Sequence, residues 1–297
     1  MLVSPMPLPQ ASLLILNQVF RNQTSYNRFW DGRNYLSVII TTVRNLTRSF
    51  LAYNAIHKNQ AKSTELADRA DTERVIRILI AILYATKNHL RAEWGADIIP
   101  GAAVSPNTAN PTIIPEYSDL LPQGLKGLDD SGVGLPLQLT FFVEQYIKRF
   151  FDNGAFHGPQ ASQMQVQLNT LTDAYGRMET IRLTPIPVAL LIHQKQVLLL
   201  FGCVLPFAMV GDMGWWSVPI VVLVMFTLYG IDGIGSQLED PFGFDRNDIK
   251  MDVLVEDVRE EIEVLVAEWK RAVESGGEMF ICKVGGAIRR GNGLQIA

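Results

Sequence analysis

Residues 213–231 read MGWWSVPIVVLVMFTLYGI, 19 residues without a charged side chain. As a helix rising about 1.5 Å per residue, the run spans roughly 28 Å, close to the hydrocarbon thickness of a bilayer. Trp215 and Trp216 sit together at one end, where an aromatic belt meets the headgroups. Directly upstream, residues 196–211 read QVLLLFGCVLPFAMVG, a second uncharged run of 16. Only Asp212 separates the two. The pair predicts a helical hairpin that crosses a membrane twice and breaks at Gly211 and Asp212, with His193 and Lys195 interrupting the apolar pattern upstream. The alternative is a buried helix pair in a soluble protein, but such a helix normally turns a charged face to water. A strand is a poorer fit, because the runs are too long and contain Pro206 and Pro219. Membrane helices tolerate such prolines as kinks.

Around this hairpin the chain has 297 residues, 26 Lys+Arg against 30 Asp+Glu, and a formal net charge of -4. That balance gives no electrostatic reason to expect a nucleic acid partner. Mean hydropathy is +0.13, on the apolar side for a soluble chain and far from a disordered composition. Two cysteines, Cys203 and Cys282, cannot build a disulfide framework or a four-cysteine metal site. Cys203 lies in an apolar run, which predicts a buried, inert thiol.

The remainder reads as amphipathic helix. Residues 11–20 can enter a longer helix running through Phe29 and Trp30, and residues 35–40 form a further apolar patch, either a marginal span or a packed helix. In residues 72–90, Ile76, Ile80, Leu83 and Lys87 recur at helical steps. Residues 96–135 hold Pro100, Pro106, Pro111, Pro115 and Pro122 and predict a long surface insertion. Helix resumes over 137–150, and an NGAFHGP break follows. Met164, Leu168, Leu171, Tyr175 and Met178 then repeat as a packed seam. Past the hairpin, Leu254, Val258, Ile262, Leu265 and Trp269 mark one face of an otherwise acidic helix. The expected organisation is one all-α unit over residues 1–270 and a fraying Gly-rich tail over 271–297.

Enzyme chemistry finds no constellation. His57, His89, His157 and His193 form no HExxH or His/Cys cluster, and Walker A, GxGxxG and GxSxG runs are absent. The chain is therefore not expected to be an enzyme. One acidic turn follows the hairpin, with Glu239, Asp240, Asp245 and Asp248 around Pro241 and Gly243. Asp245 and Asp248 have oxygen ligands of the type that suits calcium. The reading that the spacing favours is Asp248 as N-cap for the helix starting near Met251, with no metal bound.

Two segments carry a resemblance. Residues 20–33 read FRNQTSYNRFWDGR, similar to the FRNxxSYxRFxEGR signature of the bestrophin ion channels, in particular their bacterial and fungal-type branch. Its matching positions include Arg21, Asn22, Tyr26, Arg28 and Arg33. The second segment runs from TPIP at 184–187 through LPFAMVGD at 205–212, with Pro206 and Asp212, to LEDPFG at 238–243, with Glu239, Asp240, Pro241 and Gly243. The helix RVIRILIAILYATKNHLR at 74–91 matches in character and order. The resemblance covers roughly residues 11–270 outside the proline-rich insertion.

What it implies is a multi-pass membrane helical bundle with a cytosolic helical portion, assembled as a homo-pentamer around an axial pore in a lipid bilayer. Its partners would be small inorganic ions, nominally chloride. Carried over by position, Phe20 is a neck residue, Leu16 the next a turn earlier, and Ser12 the third. That spacing stacks them on one helix face, where they would control wetting and ion passage. A second, cytosolic constriction would fall near Leu183 and Thr184. The sequence departs from the pattern at Ser12, which is polar, and in having only 19 residues before the signature, so the first membrane helix is expected to be missing. Phe244, Arg246 and Asn247 replace acidic positions that hold calcium in animal members. No cofactor is expected and calcium gating is doubtful. Three readings result: a channel, a non-conducting or truncated membrane remnant, and a soluble helical interaction protein.

Overall fold

The computed structural model describes residues 8–54, 62–91, 120–121 and 134–274, with the side chains of 8–15, 17, 54 and 62–66 left undescribed. All the long elements among them are helices: α1 (Leu8–Asn54), α2 (Lys62–Arg91), α3 (Leu135–Asp152), α4 (Gly158–Leu183), α5 (Val188–Met213), α6 (Ser217–Gln237) and α7 (Met251–Glu274). The expected insertion over 96–135 falls almost wholly outside the described residues, as does the tail beyond Glu274. The expectation of a missing first membrane helix concerns the stretch before Leu8, which is also outside them.

Helix α1 is 47 residues long, or about 70 Å. It joins two stretches that the sequence reading kept apart, residues 11–30 and the patch at 35–40. The patch is a packed helix: Leu36, Ile39, Val43, Leu46 and Phe50 are buried. Helix α1 packs most extensively on α4 and also meets α2, α5, α6 and α7. One contiguous core draws on α1, α2, α3, α4 and α7, and no residue of α5 or α6 belongs to it.

The α4 seam is buried at Met164, Leu168, Leu171, Tyr175 and Met178, as its rhythm predicts. Ile76, Ile80, Leu83 and Lys87 of α2 are buried together too. On α7 the buried stripe is Met251, Val255, Val258, Ile262 and Trp269. Leu265 is exposed and Leu254 only partly covered, so that stripe is rotated from the expected one. Gly154, with φ +74°, ends α3 at the expected break, a left-handed turn that glycine enters without a Cβ clash.

The hairpin forms with two changes. Helix α5 reaches back to Val188, past His193 and Lys195, and continues through Pro206. The turn lies at Gly214–Trp216 and not at Gly211 and Asp212, because Gly214 takes a φ of +50° that residues with a side chain disfavour. Buried residues on the hairpin are few: Gln194, Leu198 and Leu205 on α5, and Ser217, Val221, Asp232 and Gly235 on α6. Cys203 is exposed, contrary to the expected buried thiol, because the apolar faces of the hairpin point away from the protein's own core.

Candidate functional site

The N-terminal half of α1 is inverted relative to a soluble amphipathic helix. Leu16 is 50 % exposed and Phe20 64 %, whereas Gln18 is 2 % and Ser25 0 %. Arg21 is buried beside them, and Val19 is exposed with the apolar pair. At about 100° per residue, Gln18, Arg21 and Ser25 fall on one stripe and Leu16 and Phe20 on the opposite side. Ser12 lies one turn before Leu16 on the same helix, with its side chain outside the described residues.

The polar stripe docks onto the hairpin and the loop that follows it. Gln194 Nε2 donates to Gln18 Oε1 at 3.0 Å. Arg21 forms a buried ion pair with Asp232 of α6. Asn22 Oδ1 lies against Gly235, where a Cβ would collide with it. Two turns on, Arg28 donates to three carbonyls: Thr184 and Ile181 at 2.6 Å each, and Glu239 at 3.1 Å. It thereby satisfies carbonyls at the C-terminal end of α4. Gly32 leaves room for Phe242 and Pro241, which a Cβ would approach at 3.0 and 3.3 Å. The two sequence segments that carry the resemblance are thus the two sides of a single seam.

Other signature residues have different surroundings. Tyr26 and Trp30 are exposed and stack at 6.4 Å. Arg33 donates to Ser37 Oγ at 2.8 Å within α1. Pro206 is half-buried in α5 and Asp212 is exposed near its end. Leu183 is exposed at the end of α4.

In the acidic turn, Asp240 Oδ1 accepts from the Phe242 N–H at 3.3 Å. Ile249 N–H closes onto the Pro241 carbonyl at 3.0 Å. Asp248 does not cap α7 as anticipated: its Oδ2 accepts from the Asp245 N–H at 2.7 Å, while Leu254 N–H returns to the Lys250 carbonyl. Burial, with the Asp245 and Asp240 charges, pushes the Asp248 carboxyl up against the opposing pull of that backbone bond. A Cβ at Gly243 would meet Asp248 Oδ2 at 2.6 Å, so a side chain there would displace that carboxylate from the Asp245 N–H. Among the described residues no group of three or more His, Cys, Asp or Glu side chains is arranged to hold a metal ion.

The sequence pattern described as Bacterial/Fungal Bestrophin protein matches residues 2–264, a span that takes in both sides of the seam. The chain belongs to the bestrophin family. A relative in Nostoc sp., a voltage-dependent anion channel-forming protein, is 34% identical over 253 residues, covering 84% of this chain and 73% of its own. One of the same description in Synechocystis sp. is 30% identical over 249 residues, with the same shares covered. A crystal structure of a bacterial bestrophin homolog from Klebsiella pneumoniae superposes with a TM-score of 0.70 at 22% identity, over 89% of each chain. The fold is therefore the all-helical bestrophin membrane channel fold. Asp232, Gln194 and Gln18, which seat α1 in this bestrophin, were not singled out as site residues from sequence. Only Asp232 carried a signal, as a lone charge directly after the uncharged run 213–231, where a polar side chain in a membrane helix calls for a partner. Gln18 stands beside Asn17, and Gln194 among His193, Lys195 and Gln196, so neither stood out from its neighbours.

Proposed function

We propose that this bestrophin is a multi-pass membrane channel that conducts small inorganic anions, nominally chloride, through the axial pore of a homo-pentamer. The observation that supports the reading is the pair Leu16 and Phe20, apolar and exposed on one face of α1, with the polar stripe of the same helix turned inward. In a pentamer with that face on the axis, five copies of each side chain make a narrow apolar neck, with Ser12 a turn beyond. An apolar ring resists ions through the cost of stripping their water, and small changes of width change that cost steeply. The anion preference is proposed from the two relatives described as anion channel-forming.

The exposed apolar faces of α5 and α6 support the bilayer as their partner. The stretch from Val188 to Gln237 reaches a mean hydropathy of 2.0, and Phe207, Phe226, Trp215 and Trp216 are all exposed on it.

The test is flux from liposomes holding the purified full chain, measured separately for chloride and for sodium, beside a Phe20→Ala variant. Chloride flux is expected to rise about tenfold in the variant, equivalent to roughly 1.4 kcal/mol off the barrier. Sodium flux exceeding chloride would overturn the anion assignment. No flux from either inserted protein would leave the non-conducting membrane remnant as the correct reading.

A further inference from the structure

The inverted half of α1 raises a question of orientation. Its apolar residues Leu16, Val19 and Phe20 face away from the subunit's own core, where whatever they meet beside the pore is met through apolar contact. Such contacts hardly discriminate one rotation of the helix from another, because lipid tails are as apolar as the side chains. What does discriminate is the polar stripe. Gln18 meets Gln194 of α5 at 3.0 Å and Arg21 meets Asp232 of α6. Both members of the ion pair are buried, with side-chain exposures of 4% and 9%. The alternative to pairing is a charge stranded in an apolar medium, so the pair tolerates little rotation.

We propose that Arg21 and Asp232 are positioning residues for the neck: their pair sets the rotation of α1 about its own axis and thereby aims Phe20 at the pore. The proposal rests on the neck reading given above. Phe20 precedes Arg21 directly and projects about 100° away from it around the helix. A side chain tip stands about 5–6 Å from the helix axis, so turning α1 by roughly 30° moves the Phe20 ring about 3 Å. Applied to five subunits at once, that displacement is comparable with the size of an ion. Below the neck, Arg28 and Gly32 hold the helix through carbonyls and a close contact with Phe242. Above them, only the Gln18 and Arg21 contacts tie described side chains of α1 to the hairpin's own helices by hydrogen bond or ion pair.

A purely structural role and a positioning role separate in one experiment. Replacing a buried ion pair by two apolar residues of similar size is often neutral for stability. Arg21→Leu with Asp232→Leu should therefore still assemble, yet lose its rotational reference. In the full chain carrying Cys203→Ser and Cys282→Ser, a single thiol is placed by Phe20→Cys or by Val19→Cys. Its modification rate by a charged, water-soluble methanethiosulfonate is then measured in liposomes. With the ion pair intact, position 20 is expected to react faster than position 19. In the leucine pair that ratio is expected to fall about fivefold, since a water-facing thiol has the thiolate fraction and access that one turned to apolar surroundings lacks. The reversed pair, Arg21→Asp with Asp232→Arg, is expected to restore it.

A ratio unchanged in the leucine pair, in protein that melts like the parent, overturns the positioning role and leaves the neck reading intact. A thiol at position 20 no more reactive than at 19 with the ion pair intact overturns the neck reading itself. Should the leucine pair fail to assemble, the same ratio is read on Gln18→Leu with Gln194→Leu, which opens the neighbouring contact. An unchanged ratio there also counts against the polar stripe as the rotational reference.

Discussion

Asp252 holds two cations with one carboxylate: Lys87 Nζ lies 3.0 Å from Oδ1 and an Arg91 guanidinium nitrogen 2.6 Å from Oδ2. Both cationic side chains are buried, while Asp252 is half exposed. Burial alone pushes the Asp252 carboxyl up, but the bonds and charges of Arg91 and Lys87 outweigh it and hold the carboxyl below its usual range. A depressed carboxylate stabilises the fold above its unfolded value, near pH 4, and that contribution is lost as the pH falls through the folded value. Asp252→Ala is expected to cost about 1–3 kcal/mol at pH 7, discounted from a fully buried pair because one partner meets water. The gap between parent and variant in thermal melts should narrow below about pH 4. Glycines give a sharper contrast. Gly32→Ala would drive a Cβ to 3.0 Å from the buried Phe242 ring and is expected to destabilise by about 1–3 kcal/mol. Gly176→Ala, in α4 with open space around it, should stabilise by about 0.5–1 kcal/mol, read in the same melts. At this scale the sequence was partly legible. The signature motifs named Arg21 and Arg28, whose partners lie between 153 and 211 residues away, and sequence spacing carries no trace of such distances.

Among the elements, α4 was the most legible, because its Met164 to Met178 stripe repeats without interruption and is buried along its length, with α1, α2 and α3 packed on the helix. Leu171→Ala is expected to lower stability by about 2–5 kcal/mol, whereas Val166→Ala on the exposed side should stay within about 0.5 kcal/mol. A denaturant titration of the detergent-solubilised protein checks both. Helix α7 was legible as a helix but not in its rotation. Apolar residues at Leu254 and Val255 offer two adjacent stripes, and the packing of α1 and α2 against Met251 and Val255 selects one. The continuity of α1 was hidden for a different reason: its halves follow opposite rules, polar inward before Arg28 and apolar inward after Tyr35. A search for one periodicity along 47 residues meets two that cancel. The hairpin turn moved by three residues because a φ preference at Gly214, and no apolar pattern, decides where the chain reverses.

As a whole molecule the chain is built of two materials. The core of α1, α2, α3, α4 and α7 is apolar inside and charged outside, with surface pairs such as Arg44 and Glu261 at 2.7 Å. The hairpin and the start of α1 reverse this, with Phe207, Trp215 and Phe226 outward and Gln194 and Asp232 inward. Water suits the first and lipid the second. Membranes from cells expressing the chain, washed with alkaline carbonate, should retain it in the pellet. Recovery in the supernatant would instead favour the soluble interaction protein that the sequence left open. This division was legible from the uncharged run at 213–231 alone, since hydropathy is a local quantity. Which face of each helix meets its neighbours is not local, and it emerged only with the seam between α1 and α6.

The ion pair of α1 and α6 also orders events in time. Arg21 leaves the ribosome 211 residues ahead of Asp232, and at a synthesis rate of about 5–20 residues per second the wait is roughly 10–40 s. Throughout it the guanidinium has no carboxylate to meet, and its long stem must reach for water or lipid headgroups. The start of α1 is consequently seated only once α6 has been made, long after the rest of α1 can pack on α4, and any truncation of the nascent chain before α6 leaves Arg21 without its carboxylate.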